Sequence, residues 1–291
     1  MAAAAAAAAV AVVRPWVLLD QLEAQRMEAK VVFDEKRGGY TRDTTLFRGV
    51  IGLMQSHFYP TYVYAPPATP VADPYAIDVA SLTGRSTDYT GVGETKQVAV
   101  AAAAAAVAVV GRDLGILIDQ QVYNAVEAIH RERTTIMGFL KKRQIAATGA
   151  YRDLHSRTVH VLRALAVRKW LPLAAQLPVC HSKTRIATMV DLVCWDEANK
   201  RYILLDVKSG FTRGYDTGKN KMSAPFQKQM DSQYNQHQLQ LLATTLLFKH
   251  TFNLTSKQVC SGLLRVDDHC VHVHPQEQWA IKGSAYLPMY N

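Results

Sequence analysis

The sequence predicts an α/β fold, in which a mixed central β-sheet is flanked by helices and preceded by an N-terminal helical extension. Three observations predict this fold class. Apolar residues follow helical spacing over residues 112–130 and again over residues 233–250. Residues 185–197 and 200–210 are β-rich runs separated by a turn, and residues 257–275 alternate like paired strands. Helix, hairpin, helix and strands in this order are typical of a sheet packed against helices.

The first 85 residues are predicted to be the helical extension and a connector. Apolar residues lie near helical spacing over residues 16–30, and residues 44–58 favour a second helix. Five prolines between Pro60 and Pro74 then favour an extended, irregular chain. The string AAAAAAVAVV occurs at residues 4–13 and again at 101–110, and we interpret the two copies as low-complexity expansions in a terminus and a loop. Residues 86–291 are predicted to form the compact domain.

Positive charge is concentrated after the helix predicted at residues 112–130. Residues 131–169, predicted to be mainly helical, hold ten Lys or Arg against two acids, a net charge of +8. Residues 200–228 add +5, while the rest of the chain nets −4. Such a distribution is expected of a face that binds a polyanion. A solvated helix surface is the alternative interpretation.

The predicted hairpin ends in a group of charged residues. In YILLDVKSG, residues 202–210, an apolar strand runs into Asp206 and Lys208, which alternation places on one face. Pairing with the preceding strand could bring Asp191 beside them. Carboxylates buried at such a position are costly without a partner, and a divalent cation would compensate them. Mg²⁺ commonly takes one or two carboxylates together with waters and phosphate oxygens, so Mg²⁺ is the expected cofactor, with Mn²⁺ as an alternative.

The spacing of these charges resembles a known nuclease signature. Asp191, a gap, and then Asp206-Val207-Lys208 is similar to the D…(D/E)xK signature of the PD-(D/E)xK nuclease superfamily. The string MVDLVCWDEANKRYILLDVKSG resembles the hairpin of its RecB-like exonuclease branch. Downstream, HQLQLLATTLL resembles the helix that carries that branch's glutamine motif, and upstream GILIDQQV resembles its first motif. The resemblance covers roughly residues 111 to 275.

The resemblance implies a restriction-endonuclease-like core and a metal-dependent deoxyribonuclease. It implies an exonuclease or end-processing enzyme of DNA replication, recombination or repair that hydrolyses phosphodiester bonds. Asp119, Asp191 and Asp206 would hold the metal. Lys208 would position or activate the attacking water, and Gln238 would orient Lys208 or contact the nucleic acid.

Two departures from the family pattern keep alternatives open. Leu242 stands where the glutamine motif usually ends in tyrosine, and Asp119 stands where histidine is commonest. Glu127 lies on the same helical stripe as Asp119 and Tyr123, so it competes for the role of first-motif ligand. A nuclease-fold protein without activity, serving as a nucleic-acid-binding or assembly module, is the alternative function.

Nucleic acid is the expected partner, with DNA ends favoured and RNA left open. The loop after the hairpin interleaves basic residues with the aromatic residues Phe211, Tyr215 and Phe226, a composition that suits phosphates and unstacked bases. The residues predicted to contact nucleic acid are Arg213, Lys219, Lys221, Lys141, Lys142 and Arg143.

Other motif classes are disfavoured. Four cysteines without CxxC spacing argue against a zinc ribbon or an iron–sulfur site and suggest an intracellular protein with reduced thiols. His269, His272 and His274 are interpreted as a polar strand surface, because the sequence offers them no evident fourth metal ligand. No apolar run is long enough for a membrane span, and the apolar N-terminus lacks the basic start of a signal peptide.

Overall fold

The computed structural model describes residues 20, 22, 24, 31–34, 39–43, 45–58, 95–209 and 215–287. In chain order its elements are β1 (Val32–Asp34), β2 (Gly39–Arg42), β3 (Thr45–Gly49), α1 (Val50–Phe58), α2 (Thr95–Arg131), α3 (Ile136–Arg143), α4 (Ser156–Val167), β4 (Trp170–His181), β5 (Ile186–Asp196), β6 (Arg201–Ser209), α5 (Gln233–Thr251), β7 (Val259–Val266), β8 (Val271–Pro275) and α6 (Gln278–Lys282). A 3-10 turn, Gly283–Tyr286, follows α6.

The strands form one mixed sheet, which confirms the predicted fold class at that level. Within the described residues the strand order is β1-β2-β3-β5-β6-β7-β8, and β4 pairs with β5 outside this path. β3 runs parallel to β5 and β6 runs parallel to β7, whereas the remaining neighbours are antiparallel. A sheet of this kind needs crossover connections, and α5 supplies the one between β6 and β7.

The hairpin of β5 and β6 is confirmed. Leu192 pairs with Leu205 and Asp196 with Arg201, so the two strands run antiparallel over their apolar stretch. The turn is stabilised by Asp196, whose carboxylate accepts hydrogen bonds from the backbone N–H and the side-chain amide of Asn199 at 3.2 and 2.6 Å. Lys200 completes the turn with a positive φ of 51°. The sequence signal at residues 196–199 therefore has a defined local cause.

Helices cover the sheet on two sides with separate apolar layers. On one side, Leu204 of β6 packs with Leu239 and Leu247 of α5 and with Met54 of α1. On the other side, the alternate β6 residues join a second layer with Ile118 of α2, Phe139 of α3 and Leu162 of α4. β6 is consequently buried on both sides, which fixes the position of the charged residues at its end.

The predicted helical character of the N-terminal segment is wrong for Val32–Asp34, Gly39–Arg42 and Thr45–Gly49, which form β1, β2 and β3. Helix is found only from Val50 onward in the predicted 44–58 stretch, as α1. Pairing decides the difference, because Arg48 and Gly49 of β3 pair with Ile186 and Ala187 of β5. Such contacts over more than a hundred residues leave no local signal in the sequence.

The outcome for the low-complexity and proline-rich segments differs along the chain. Residues 101–110 lie inside α2, so the predicted loop is wrong there, as expected from alanine's high intrinsic helix propensity. The first alanine-rich copy and the proline-rich connector lie outside the described residues, as does most of the helix predicted at 16–30. Across the described part of the chain, no helix combines the length and apolar character needed to span a membrane.

Candidate active site

The end of β6 holds an ion pair that is almost shielded from solvent. Lys208 Nζ lies 2.9 Å from Asp206 Oδ1, and the two side chains are 16% and 9% exposed. The strand alternation predicted that both residues point the same way, and this contact agrees with it. In the β6–β7 register Asp206 is the neighbour of Leu263 and Lys208 is the neighbour of Arg265. Strand β7 therefore supports the end of β6 that carries the ion pair.

Asp191 lies beside this ion pair. Leu192 is opposite Leu205 in the β5–β6 register, which brings the preceding residue, Asp191, to the end of the paired region next to Asp206. Asp191 Oδ2 accepts a hydrogen bond of 3.0 Å from the backbone N–H of Val207. Burial raises the pKa of Asp191 well above its ordinary value, and the negative charge of Asp206 raises it further. The two carboxylates therefore share one buried, low-dielectric site with Lys208 at the end of β6, which is called the recess below.

Helix α2, which carries the residues that resemble the first motif, brings Asp119 to the same recess. Burial raises the pKa of Asp119 to about 6; the positive charge of Lys208 opposes this rise, and the negative charge of Asp206 adds to it. α2 reaches the strand end closely, because a Cβ added at Gly115 would lie 3.6 Å from Ser209 Oγ. Glu127 lies two helical turns further on and is exposed. Of the two competing acids, the structure brings Asp119 to the β6 end.

One carboxylate oxygen at this site lacks a donor. Asp206 Oδ2 is buried, and none of the described residues donates a hydrogen bond to it. A buried carboxylate oxygen without a partner is costly unless a cation or water satisfies it. Among the described residues, Asp119, Asp191 and Asp206 do not form a tight three-ligand group. Mg²⁺ and Mn²⁺ do not require such a tight group, because these ions are held through few carboxylates and keep several waters.

Two further side chains at the site were not predicted to belong to it. His237 of α5 is bonded through Nδ1 to the Tyr215 hydroxyl at 2.8 Å. Burial lowers the pKa of His237 to about 3, and the positive charge of Lys208 lowers it further, so the imidazole is neutral at physiological pH. Burial also raises the pKa of Tyr215, with Asp206 contributing to the rise. The signal available in the sequence was the position of His237, directly before Gln238 in the glutamine motif.

Gln238 itself points to another part of the molecule. Its Nε2 donates to the carbonyl of Pro275 at 3.3 Å, and its Oε1 accepts from Gln276 Nε2 and from the backbone N–H of Glu277, both at 2.9 Å. The side chain is fully buried. These bonds fix α5 to the segment between β8 and α6, and the structure does not bring the Gln238 amide to Lys208.

The N-terminal strands also border the site. Burial raises the pKa of Tyr40 in β2, and the negative charge of Asp191 contributes to that rise. A phenol hydroxyl from the segment predicted to be a helical extension therefore lies within electrostatic reach of a candidate metal ligand. Sequence reasoning missed it because Tyr40 reaches the site only through the β3–β5 pairing.

Four of the six residues predicted to contact nucleic acid are exposed. They are Lys141 and Lys142 of α3 and Lys219 and Lys221 of the loop between β6 and α5, whereas Arg213 lies outside the described residues. Lys142 is paired with Glu132 at 2.8 Å, and the guanidinium of Arg143 lies 4.1 Å from the Phe139 ring centre. These basic side chains remain candidates for phosphate contacts.

Three residues of the basic and aromatic segments are buried. Tyr215 and Phe226 are 3% and 5% exposed, so neither ring lies open at the surface for a base to stack on. Arg157, counted in the basic span, is 6% exposed and bonds through Nε to Asp268 at 2.8 Å. Phe211, the remaining aromatic residue of the loop, lies outside the described residues.

Comparison of the chain with protein-family models, with characterised proteins and with solved structures finds no match. The functional interpretation therefore rests on the residues and their geometry.

Proposed function

We propose that the protein is a metal-dependent nuclease that hydrolyses phosphodiester bonds at the recess formed by α2, β5 and β6, within a restriction-endonuclease-like core of the PD-(D/E)xK type. The observation that carries the proposal is the convergence of Asp119, Asp191, Asp206 and Lys208 from three separate elements. Asp119 is far in the sequence from the β5–β6 hairpin that carries the other three residues, and a purely structural role would not require three acids around one lysine.

The donor set fits a hard divalent cation. Asp206 and Asp191 would hold Mg²⁺ or Mn²⁺ with Asp119 completing the site, and the donorless Asp206 Oδ2 is the atom available for direct binding. When bound, such an ion supplies Lewis-acid stabilisation of the phosphoryl oxygens and a more acidic water. Every oxygen donor in the set is of the type these ions prefer.

Lys208 acts in this proposal as a positively charged hydrogen-bond donor. Burial alone would lower the pKa of Lys208, but the negative charges of Asp206 and Asp191 outweigh burial and raise it above its ordinary value. The ammonium group therefore stays protonated in the recess. It can hold the scissile phosphate or the attacking water in place, whereas proton abstraction by this group would be unfavourable.

The substrate class is DNA, and the action proposed is exonucleolytic or end-processing. The exposed lysines Lys141, Lys142, Lys219 and Lys221 provide charge for the phosphate backbone without base-specific contacts. RNA is the competing substrate. A comparison of both nucleic acids in one assay distinguishes these two classes.

The test is cleavage of end-labelled single-stranded, double-stranded and circular DNA, together with a matched RNA, in the presence of Mg²⁺. We expect linear DNA to be degraded and circles to survive. The Lys208→Ala variant should lose cleavage while it keeps most DNA binding, because the exposed lysines lie elsewhere. Equal cleavage by the wild-type protein and the variant would overturn the assignment, and cutting of circles would overturn the exonuclease reading.

A second candidate function is a nucleic-acid-binding or assembly module with the same fold and no catalysis. It is favoured by Gln238, which is fully engaged in bonds to the β8–α6 segment, and by Leu242, a buried core residue at the expected tyrosine position. Tight DNA binding without Mg²⁺-dependent cleavage, in a protein whose recess binds no metal, would select this candidate over the enzyme.

A further inference from the structure

The turn between β7 and β8 brings a carboxylate, a thiol and an imidazole together. Asp267 Oδ1 accepts backbone hydrogen bonds from His269 and Cys270 at 2.9 and 2.8 Å, so the turn itself orients this carboxylate. Cys270 Sγ lies 3.4 Å from each oxygen of Asp267 and 3.0 Å from Nε2 of His272. His272 Nε2 is 3.8 Å from Asp267 Oδ2.

These separations are close to those of ligands around a tetrahedral ion. Zinc bonds of about 2.3 Å to sulfur and about 2.0–2.2 Å to nitrogen or oxygen place the ligand atoms about 3.4–3.6 Å from one another. The three observed separations, 3.0, 3.4 and 3.8 Å, bracket this range. Shifts of a few tenths of an ångström would therefore complete one face of a tetrahedron.

The surroundings favour access and a fourth donor. Cys270 and His272 are exposed, and Asp267 is half-buried. His274 follows His272 on the same face of β8, and their ring centres are 6.2 Å apart. His274 Nε2 is buried and makes no hydrogen bond within the described part of the chain. The ligand atoms of Asp267, Cys270 and His272 lie within 4.8 Å of one another, and His274 lies outside this group, so its ring would have to turn to supply a fourth ligand.

We propose that Asp267, Cys270 and His272 bind a borderline-soft divalent ion, Zn²⁺ in the cell, with His274 as the nearest donor for the fourth position. A thiolate and an imidazole select zinc over Mg²⁺, which prefers oxygen ligands. Binding converts the Cys270 thiol to a thiolate, and its proton leaves to solvent. The ion would join the end of β7 to the start of β8 and so fix the outer strand of the sheet.

This zinc site is separate from the recess at β6 and does not depend on the proposed nuclease activity. Lys208 pairs with Arg265, and Arg265 pairs with His272, so the two sites lie two strands apart. That separation corresponds to about 10 Å between the strand backbones. The softer ion should occupy the turn between β7 and β8, while Mg²⁺ occupies the recess at the end of β6.

The experiment is a titration of the metal-free full-length protein with Co²⁺, an optical substitute for zinc. We expect one equivalent to produce a thiolate-to-cobalt charge-transfer band together with the intense visible bands of tetrahedral cobalt, and Zn²⁺ to remove both. Cys270→Ser should abolish the charge-transfer band and weaken zinc binding by at least about a hundredfold, since even losses of supporting groups cost ten- to a hundredfold. The exposed position of Cys270 means that this variant should fold, and its melting temperature without metal checks that expectation.

Two control variants make the result specific. Cys260→Ser changes the partly buried thiol of β7 and should retain the band. Asp206→Asn should also retain the band, because Asp206 belongs to the proposed nuclease site and not to the β7–β8 turn. Absence of a charge-transfer band with wild-type protein, or persistence of the band in Cys270→Ser, would overturn the proposal.

Discussion

The recess at the end of β6 and the turn between β7 and β8 contain different kinds of ligands on one sheet. The recess gathers carboxylates and a lysine around the end of β6, a strand that is buried on both sides. The turn gathers a carboxylate, a thiol and an imidazole within six residues, and two of the three are exposed. Buried carboxylates whose charge is only partly neutralised favour a hard ion that keeps its own waters, whereas sulfur and nitrogen donors favour a soft one. On our two proposals, the same sheet would therefore hold two different metals.

The largest expected effect concerns cleavage. Asp206→Asn removes one charge at the donorless oxygen without changing side-chain size. We expect Mg²⁺-dependent cleavage to fall by about a thousandfold, because a bound ion contributes several kcal/mol to the transition state. Rates with end-labelled linear DNA measure the loss. A rate within a factor of a few of the wild-type rate would show that Asp206 does not hold a metal that cleavage needs.

The next prediction separates two acids of one helix. Asp119→Asn should reduce cleavage by about ten- to a hundredfold, the size of effect usual for groups that support a metal site. Glu127→Gln, two turns away and exposed, should leave the rate unchanged. The two variants are matched in chemistry and differ in location. A larger loss in Glu127→Gln than in Asp119→Asn would show that Glu127, and not Asp119, is the first-motif ligand.

A third prediction compares a buried ion pair with an exposed one. Lys208→Met leaves Asp206 and Asp191 without a positive neighbour, so the metal-free protein should lose about 3 kcal/mol of stability at neutral pH. Lys142→Met removes the Lys142–Glu132 pair, in which the lysine is 60% exposed, and should cost much less, because solvent screens an exposed pair. Urea unfolding of both variants gives the two values. Equal losses would contradict the buried character of the β6 site.

The last prediction is a pH dependence of stability that comes from His237. Its pKa is lowered to about 3 in the folded protein, against an ordinary value of 6.5. Between these two values the unfolded chain binds a proton that the folded chain does not bind. Stability should therefore decline as the pH falls below about 6.5, and the decline should be complete near pH 3.

The matched variant for this prediction is His237→Asn. It cannot take up the proton, so its stability should change less between pH 7 and pH 5 than that of the wild type. Subtracting the two profiles isolates His237 from Asp119 and Asp191, whose raised pKa values act in the opposite direction. Parallel profiles would show that His237 is not held neutral beside Lys208.

Local patterns predicted the centre of the sheet well. The apolar run of β6, the turn at Asp196 and the strand alternation sufficed to place Asp206 beside Lys208, and helical spacing sufficed for α5 and for the part of α2 from residue 112 onward. These features depend on neighbours within a few residues. Asp191 followed from the hairpin register, which is itself a short-range property.

Sequence patterns did not predict the contacts that depend on how one element docks against another. Strand β3 exists because it pairs with β5, and the choice of His237 over Gln238 depends on how α5 rotates against the sheet. The sequence indicated a turn at Asp267-Asp268, but alternation does not show that this turn folds the Asp267 carboxylate back against Cys270, and the histidines of β8 were therefore interpreted as a polar surface. In each case the missing information was the position of a second element or of a turn.

Calorimetric titration of Mg²⁺ and Mn²⁺ tests the central claim most directly, because it asks whether the recess at β6 holds a metal. The wild-type protein is predicted to bind either ion, Asp191→Asn and Asp206→Asn are predicted to lose that binding, and Cys270→Ser is predicted to keep it. Unchanged binding of Mg²⁺ in Asp206→Asn, or binding lost only in Cys270→Ser, would contradict the assignment of the recess as the nuclease metal site.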